Sequence, residues 1–386
     1  MHTPDIAIIL GTRPEIIKMA PVIRLLGNRA LVIHSGQHYD ERMSGQHFSS
    51  LGLPQPDVVL AGIGGTHRAD QISNMMRSLV VTLQERRPKT VLVQGDTNTV
   101  SAGAQAAHYL NIPVIHVEAG LRSNDREMPE EINRIITGAV ASVHCAATAA
   151  NASNLMREGT PASAIAVTGN TIVEATLQAL SATSKSIDSW FSGARPARYA
   201  VATIHRPENT DRRERLEEVL IALGRIDIPV VFLIHPRTRA AIERFDLEDL
   251  LDRLIVREAP NSTDFLNLAS GASVLVSDSG GVQEESTILK VPLAVVRRST
   301  ERPEAIDAGF AWLIKPGMDI AREVNVILSN HRVRAALAAS SSPFGDGKAS
   351  ERIAAIAVAI ADGASPEDAI GAVMSELTPR MASVAA

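Results

Sequence analysis

A single cysteine among 386 residues excludes an internal disulfide and any cysteine-based zinc site. That residue, Cys145, lies in the apolar run Val143–Ala147, where a thiol is expected to be buried filler rather than a nucleophile. Basic residues are not in excess: 38 Lys and Arg against 43 Asp and Glu give a net charge of −5. A general nucleic-acid binder, which must displace counterions from phosphates, is therefore excluded. The longest apolar runs are strand-sized, too short to cross a membrane as a helix. Met1 leads through Asp5 straight into a strand, with no basic region ahead of an apolar one. No signal peptide is expected, and the expected location is cytoplasmic. The first strand carries no G-x-G-x-x-G fingerprint of a dinucleotide site. Low-complexity segments and a clear repeat are also missing.

What is present is ordinary globular composition, 45% hydrophobic and 21% charged, in a chain too long for one core. Apolar strand-like runs alternate with helical patterns, which predicts parallel α/β sheets. Strands are predicted near Asp5–Leu10, Ala30–His34, Thr90–Gln94, Pro113–Val117 and Val143–Ala147. A second series is predicted near Tyr199–Ile204, Val230–Ile234, Leu254–Val256, Ser273–Val276 and Pro292–Val296. The Ser/Ala/Pro-rich segment Ser181–Arg198 marks the break. The expected domains are 1–168 and 169–363, followed by a helical tail over 364–386. Two doubly wound halves bind ligands outside the carboxyl ends of their strands, in the cleft between them.

The second half is organised around residues 273–302 (SVLVSDSGGVQEESTILKVPLAVVRRSTER). A strand that ends in Ser279-Gly280-Gly281 and opens a helix aims backbone N–H groups and the positive helix end at one spot, which suits a phosphate. Glu284 and Glu285 follow, where a carboxylate can accept from sugar hydroxyls. Arg297, Arg298 and Arg302 are cations suited to a diphosphate. A capped helix would explain the serine and one acid, but not two glycines and the ensuing Thr-Glu-Arg-Pro-Glu. A nucleotide-diphosphate site is therefore expected.

In the first half, Gly95-Asp96-Thr97-Asn98 and Glu118-Ala119-Gly120-Leu121-Arg122 each put a carboxylate just past a strand end. Met128-Pro129-Glu130-Glu131 adds acids at a helix start, where the dipole alone favours them and Glu130 can pair with Arg134. Asp96 has its own structural alternative as a helix cap. Three acids converging on one site suit proton transfer, and with only scattered histidines beside them no dedicated metal site is expected. Arg13 and Lys18 follow the first strand, Lys18 with a solvated helix face as its alternative. His38 and the pair His67–Arg68 occupy further loops. His205 and His235 end strands of the second half, and Phe265 suits either a base or the core.

The motifs GTRPEIIK, QGDTNT, HVEAGLR, MPEEINR, HRPEN, HPRT, DSGGVQEE and TERPE, in this order, closely resemble the non-hydrolysing UDP-N-acetylglucosamine 2-epimerase family. The resemblance runs from about Ile6 to about Ile353, where PFGDGKASERI also looks like the family's C-terminal region. It implies a GT-B architecture of two Rossmann-like domains, a cytoplasmic homodimer without NAD, metal or other cofactor, and a supply role in polysaccharide synthesis. It also implies C2 epimerisation of UDP-N-acetylglucosamine to UDP-N-acetylmannosamine, by anti elimination of UDP and re-addition through a 2-acetamidoglucal. By motif match, Asp96, Glu118, Glu130 and His205 resemble the family's catalytic residues. Arg13, Lys18, Ser279, Gly280, Gly281, Glu285, Arg302 and Phe265 resemble its substrate contacts. Gln37, Arg68, Arg206 and His235 fall near motifs that hold an activating UDP-sugar in some members. The chain departs from the pattern at Asp40, where glutamine is expected, at Pro207, where a second arginine is common, and near Asn261–Phe265, which lacks a usual tyrosine. An epimerase for another UDP-2-acetamido sugar, a GT-B glycosyltransferase and a silent UDP-sugar-binding regulator are the alternatives.

Overall fold

Aliphatic runs buried on both faces build the strands of two all-parallel sheets, as parallel packing between helices requires. The structure is a computed structural model that describes residues 4–37, 45, 48–182 and 184–375. The chain divides into two units: the described residues through Ala175 together with those from Phe344 onward, and Thr176–Pro343. His38 and Asp40 lie outside the described residues.

The first unit holds β1 (Ile6–Leu10), β2 (Ala30–His34), β3 (Val58–Val59), β4 (Thr90–Gln94), β5 (Val114–Ala119), β6 (Val143–Ala146) and β7 (Ile165–Val167). Its sheet order is β3-β2-β1-β4-β5-β6-β7, so the winding direction reverses between β1 and β4. The helices are α1 (Arg13–Leu26), α2 (Arg68–Arg86), α3 (Asn98–Tyr109), α4 (Pro129–Val140) and α5 (Ala149–Arg157), with α6 (Ile172–Ser181) running on past Ala175. Cys145 is fully buried, and burial pushes its thiol up to about 12, as befits core filler.

The second unit repeats the plan with β8 (Ala200–Thr203), β9 (Val230–Ile234), β10 (Ile255–Glu258), β11 (Val274–Ser277), β12 (Leu293–Val296) and β13 (Ala311–Ile314). The order β10-β9-β8-β11-β12-β13 puts its reversal between β8 and β11. Helices α7 (Pro207–Thr210), α8 (Arg213–Leu223), α9 (Pro236–Arg244), α10 (Ser262–Ser270), α11 (Gly280–Leu289), α12 (Pro303–Asp307), α13 (Ile320–Ser329) and α14 (Val333–Ala339) complete it. The edge strands β3, β7 and β13 escape the sequence pattern. Two of them are very short, and β13 carries half-buried Trp312 and Leu313 amid its buried ends.

The C-terminal boundary differs from the expected 169–363 and 364–386. Helices α15 (Ala349–Ala361) and α16 (Pro366–Ser375) belong to the first unit. Ile353, Ile356, Ile360 and Ile370 share one apolar core with Ile6, Ile8 and Ile16. The crossing is fastened where the Asn170 N–H donates to the Phe344 carbonyl at 2.8 Å and Arg352 donates to the Thr168 carbonyl at 2.8 Å. The apolar stripe of α15 covers, beside α1, one face of the first sheet. Ile356→Ala should therefore cost about 2–5 kcal/mol and speed amide exchange in β1 and β4 while leaving β8 and β11 unchanged. Equal loss of protection in both sheets would contradict this assignment.

Candidate functional site

In open parallel sheets a ligand site forms outside the carboxyl ends of the strands, at the point where the winding reverses. In the first unit those ends are the β1–α1 turn, Gly11–Thr12, and the β4–α3 turn, Gly95–Thr97. A Cβ at Gly11 would overlap the Ser35 and Thr99 hydroxyls, so only glycine lets the chain pass here. Pro14 occupies the first turn of α1, and Arg13 sits half-buried beside it.

Lys18 is buried, not on a solvated face, and its ammonium lies 2.5 Å from the Glu118 carboxylate. Gln94 donates to the same oxygen at 2.8 Å. Glu118 itself has φ of 63°, at a bulge where the β5–β6 register shifts between Val117 and Ala119. A glutamate in the left-handed region is uncommon, and a bulge re-aims its side chain. A buried ion pair is poor evidence for stability because desolvation offsets the attraction. Together, the bulge and the pair point to a held functional carboxylate.

Asp96 does not cap α3. Thr97 does so, accepting from the Val100 N–H, while the Asp96 carboxylate meets Arg134 at 2.5 Å. Arg134 also pairs with Glu131 at 3.0 Å, so the expected Glu130–Arg134 pair is replaced. Glu131 is buried and accepts from the Ser123 and Asn124 N–H groups, both at 3.0 Å. Burial raises its pKa, but those bonds and Arg134 outweigh it and hold the group below the ordinary range. Glu130, one residue earlier, is exposed. Glu131 is therefore the structural acid of the pair and Glu130 the accessible one.

His116, on β5, lies 2.8 Å through Nε2 from the Gly95 carbonyl. A carbonyl only accepts, so the neutral ring carries its proton on Nε2. Burial pushes its pKa down to about 3, which keeps it neutral. Glu15 is the acid that sequence reasoning missed. It is 2% exposed and accepts from the Gly11 N–H at 2.8 Å, the Thr12 N–H at 2.7 Å and the Thr97 hydroxyl at 2.7 Å. Burial outweighs these bonds and raises its pKa to about 7.

In the second unit, Asp278 ends β11 and turns back toward the end of β8. Its fully buried carboxylate accepts from the His205 N–H at 3.0 Å, the Arg206 N–H at 2.8 Å and the Asn209 amide at 3.0 Å. His205 Nδ1 lies 3.1 Å from the same group, with its ring one-third exposed. Burial raises the pKa of Asp278, but His205, Asn209 and the Arg206 N–H outweigh it and keep it below the usual range. The pair fixes the imidazole so that Nε2 is the atom left for a ligand.

Arg302 lies over Gly280, where a Cβ would come within 2.7 Å of its guanidinium. It donates to Glu284 at 2.7 Å and pairs with Glu301 at 3.2 Å. Glu284 is thus committed to Arg302 rather than to sugar hydroxyls, and half-buried Glu285 is the more accessible acid. Arg297 is likewise buried, against Glu301 at 2.6 Å and Glu208 at 3.4 Å. Burial raises Glu301, but Arg302, Arg297 and Arg206 outweigh it and bring its pKa to about 2. Ser279 is the cap residue of α11 and Gly281 is half-buried beside it. Phe265 is half-buried on α10.

Of the residues matched to an activator site, Gln37 accepts from the Thr99 N–H at 2.9 Å and its hydroxyl at 2.7 Å. Arg206 reaches Glu301 at 3.6 Å, and Arg68 and His235 are exposed. The His205 and His235 rings stand 5.3 Å apart. His67 caps α2, accepting from the Ala69 N–H at 3.3 Å.

A family model described as UDP-N-acetylglucosamine 2-epimerase matches residues 27–357. The chain is 41% identical over 365 residues to a UDP-N-acetylglucosamine 2-epimerase of Methanocaldococcus jannaschii, covering 91% of this chain and 98% of that one. It is 34% identical to a UDP-2,3-diacetamido-2,3-dideoxy-D-glucuronate 2-epimerase of Pseudomonas aeruginosa, over 90% of this chain and 97% of that one. A solved structure of the M. jannaschii enzyme in complex with UDP-GlcNAc and UDP superposes with a TM-score of 0.80 at 40% identity, covering 90% and 98%.

The raised pKa of Glu15 makes a pH-dependent prediction. The folded state keeps its proton between the ordinary value of 4.5 and about 7, while the unfolded chain does not. Its contribution to stability is then complete below about 4.5 and is lost as pH rises to about 7. From pH 5 to pH 8 the unfolding free energy should shift by roughly 3 kcal/mol in favour of Glu15→Gln over the wild type. Parallel denaturation curves at both pH values would show that Glu15 is ionised throughout.

Proposed function

The chain belongs to the UDP-N-acetylglucosamine 2-epimerase family and is an epimerase, and from that premise we propose that it inverts C2 of UDP-N-acetylglucosamine to give UDP-N-acetylmannosamine. The observation that carries the reading is that side chains held by ion pairs stand at both switch points. The first unit gathers Asp96, Glu118 and Glu130 at its strand and helix ends, and the second presents His205, Arg302 and a glycine helix start.

The proposed route is anti elimination of UDP followed by re-addition through a 2-acetamidoglucal. The C2 proton is only weakly acidic, so its removal must accompany departure of a good leaving group, the diphosphate. Carboxylates of the first unit move the proton. Lys18 and Arg134 hold Glu118 and Asp96 in place, and a held carboxylate needs little reorganisation on the way to the transition state. Arg13 adds positive charge beside them. In the second unit the N–H groups after Ser279, with Gly280 and Gly281, receive the diphosphate. His205 presents Nε2 and Arg302 its guanidinium to the departing UDP. Glu285 takes the ribose and Phe265 the uracil. Arg68 and His235, exposed, are the contacts best suited to an activating second UDP-sugar.

A second reading keeps the reaction and changes the sugar. The P. aeruginosa relative, whose name specifies a 2,3-diacetamido uronate, favours it.

Asp96→Asn and Glu118→Gln should each lower kcat for epimerisation by about 10²–10⁴, while UDP affinity by calorimetry stays within roughly threefold. Loss of UDP binding with either substitution would assign the acids to holding the nucleotide, against the proton-transfer role.

A further inference from the structure

On the epimerase reading, Arg13 and Asp96 act from two separate turns that must keep a fixed register. We propose that Glu15 is the positioning residue that bridges these turns. Its Oε2 accepts from the Gly11 and Thr12 N–H groups at 2.8 and 2.7 Å, on the turn that leads into Arg13. Its Oε1 accepts from the hydroxyl of Thr97, the residue after Asp96, at 2.7 Å.

The β1–β4 ladder does not do this alone. Its last rung pairs Ile9 with Val93, short of both turns. A helix-capping glutamate needs only the bond to the N-terminal turn of its own helix. The contact to Thr97 spans 82 residues, joins a second strand end, and capping does not call for it. His116 steadies the Gly95 side of the same turn, but it does so from β5. One turn further along α1, Lys18 grips Glu118 at 2.5 Å. A single helix therefore holds the ends of β1, β4 and β5 together, and Glu15 supplies the β1–β4 link. At 2% exposure water does not replace the lost bonds when the carboxylate is removed.

The test compares Glu15→Ala, Glu15→Gln, Thr97→Val and Thr97→Ser with the wild type. An amide at position 15 can still accept from the backbone and donate to Thr97, and a serine at position 97 keeps the hydroxyl. The alanine and valine variants should lower kcat by about 10- to 100-fold with KM within roughly threefold, as misplaced catalytic groups do. The conservative variants Glu15→Gln and Thr97→Ser should recover most of that loss. The Glu15→Ala/Thr97→Val double variant should lose clearly less than the product of the two single losses, the Val100 cap accounting for any excess over Glu15→Ala. An effect confined to KM, or two losses that simply multiply, would overturn the bridge.

Amide exchange of the full chain provides an arm independent of turnover. Thr97→Val should speed exchange at Gly11 and Thr12 about tenfold, although the substitution lies on another strand. Unchanged exchange there would overturn the bridge. A wild type that fails to epimerise any UDP-2-acetamido sugar would sink the functional reading instead, and exchange at Gly11 and Thr12 would still decide the bridge.

Discussion

The pair that Lys18 makes with Glu118 is the constraint from which the first unit's site follows. A glutamate in left-handed backbone at a strand bulge is a local cost, and a buried lysine is another. They persist together because each compensates the other at 2.5 Å, and Gln94 completes the contact. The effect is a carboxylate whose position is set by two separate elements, α1 and β5. Asp96 follows the same rule, pinned by Arg134 from α4, which is itself anchored through Glu131 to the Ser123–Asn124 turn. Carboxylates fixed in this way suit chemistry in which protons move along a defined path.

The two units use one topology with different helix starts. At the start of α1 the backbone N–H groups, which elsewhere receive phosphate, are taken by the chain's own Glu15. At the start of α11 the turn carries Ser279, Gly280 and Gly281, with the Arg302 guanidinium over the glycine. Three glutamates, Glu208, Glu284 and Glu301, face three arginines, Arg206, Arg297 and Arg302. Asp278 orders the turn that carries His205. The two switch points thus differ in what occupies the helix N-terminus.

Much of this is legible in the residues themselves. The strands that flank each reversal are long enough and apolar enough to be found by pattern, and the residues that end them, Asp96, Glu118, His205 and Ser279, sit where parallel sheets put chemistry. What the pattern hides is pairing across long separations. Glu15 looks like a first-turn acid, Arg134 like an i+4 partner of Glu130, and Asp278 like a turn residue. Their roles depend on Thr97, Asp96 and His205, which only the fold brings near. Glu284 misleads for the same reason: charge in a motif does not say whether a neighbour has already neutralised it. The return of α15 to the first unit is hidden too, because its apolar stripe does not name the sheet it covers.

The measurement that bears most directly on the account is proton NMR of the purified protein with UDP-N-acetylglucosamine in deuterated water. The account predicts deuterium at C2 of the sugar as UDP-N-acetylmannosamine grows in. Epimerisation that keeps the original C2 proton would contradict proton transfer by exchangeable carboxylates. Absence of both exchange and product, with UDP-N-acetylmannosamine also added as an activator, would contradict the assigned substrate.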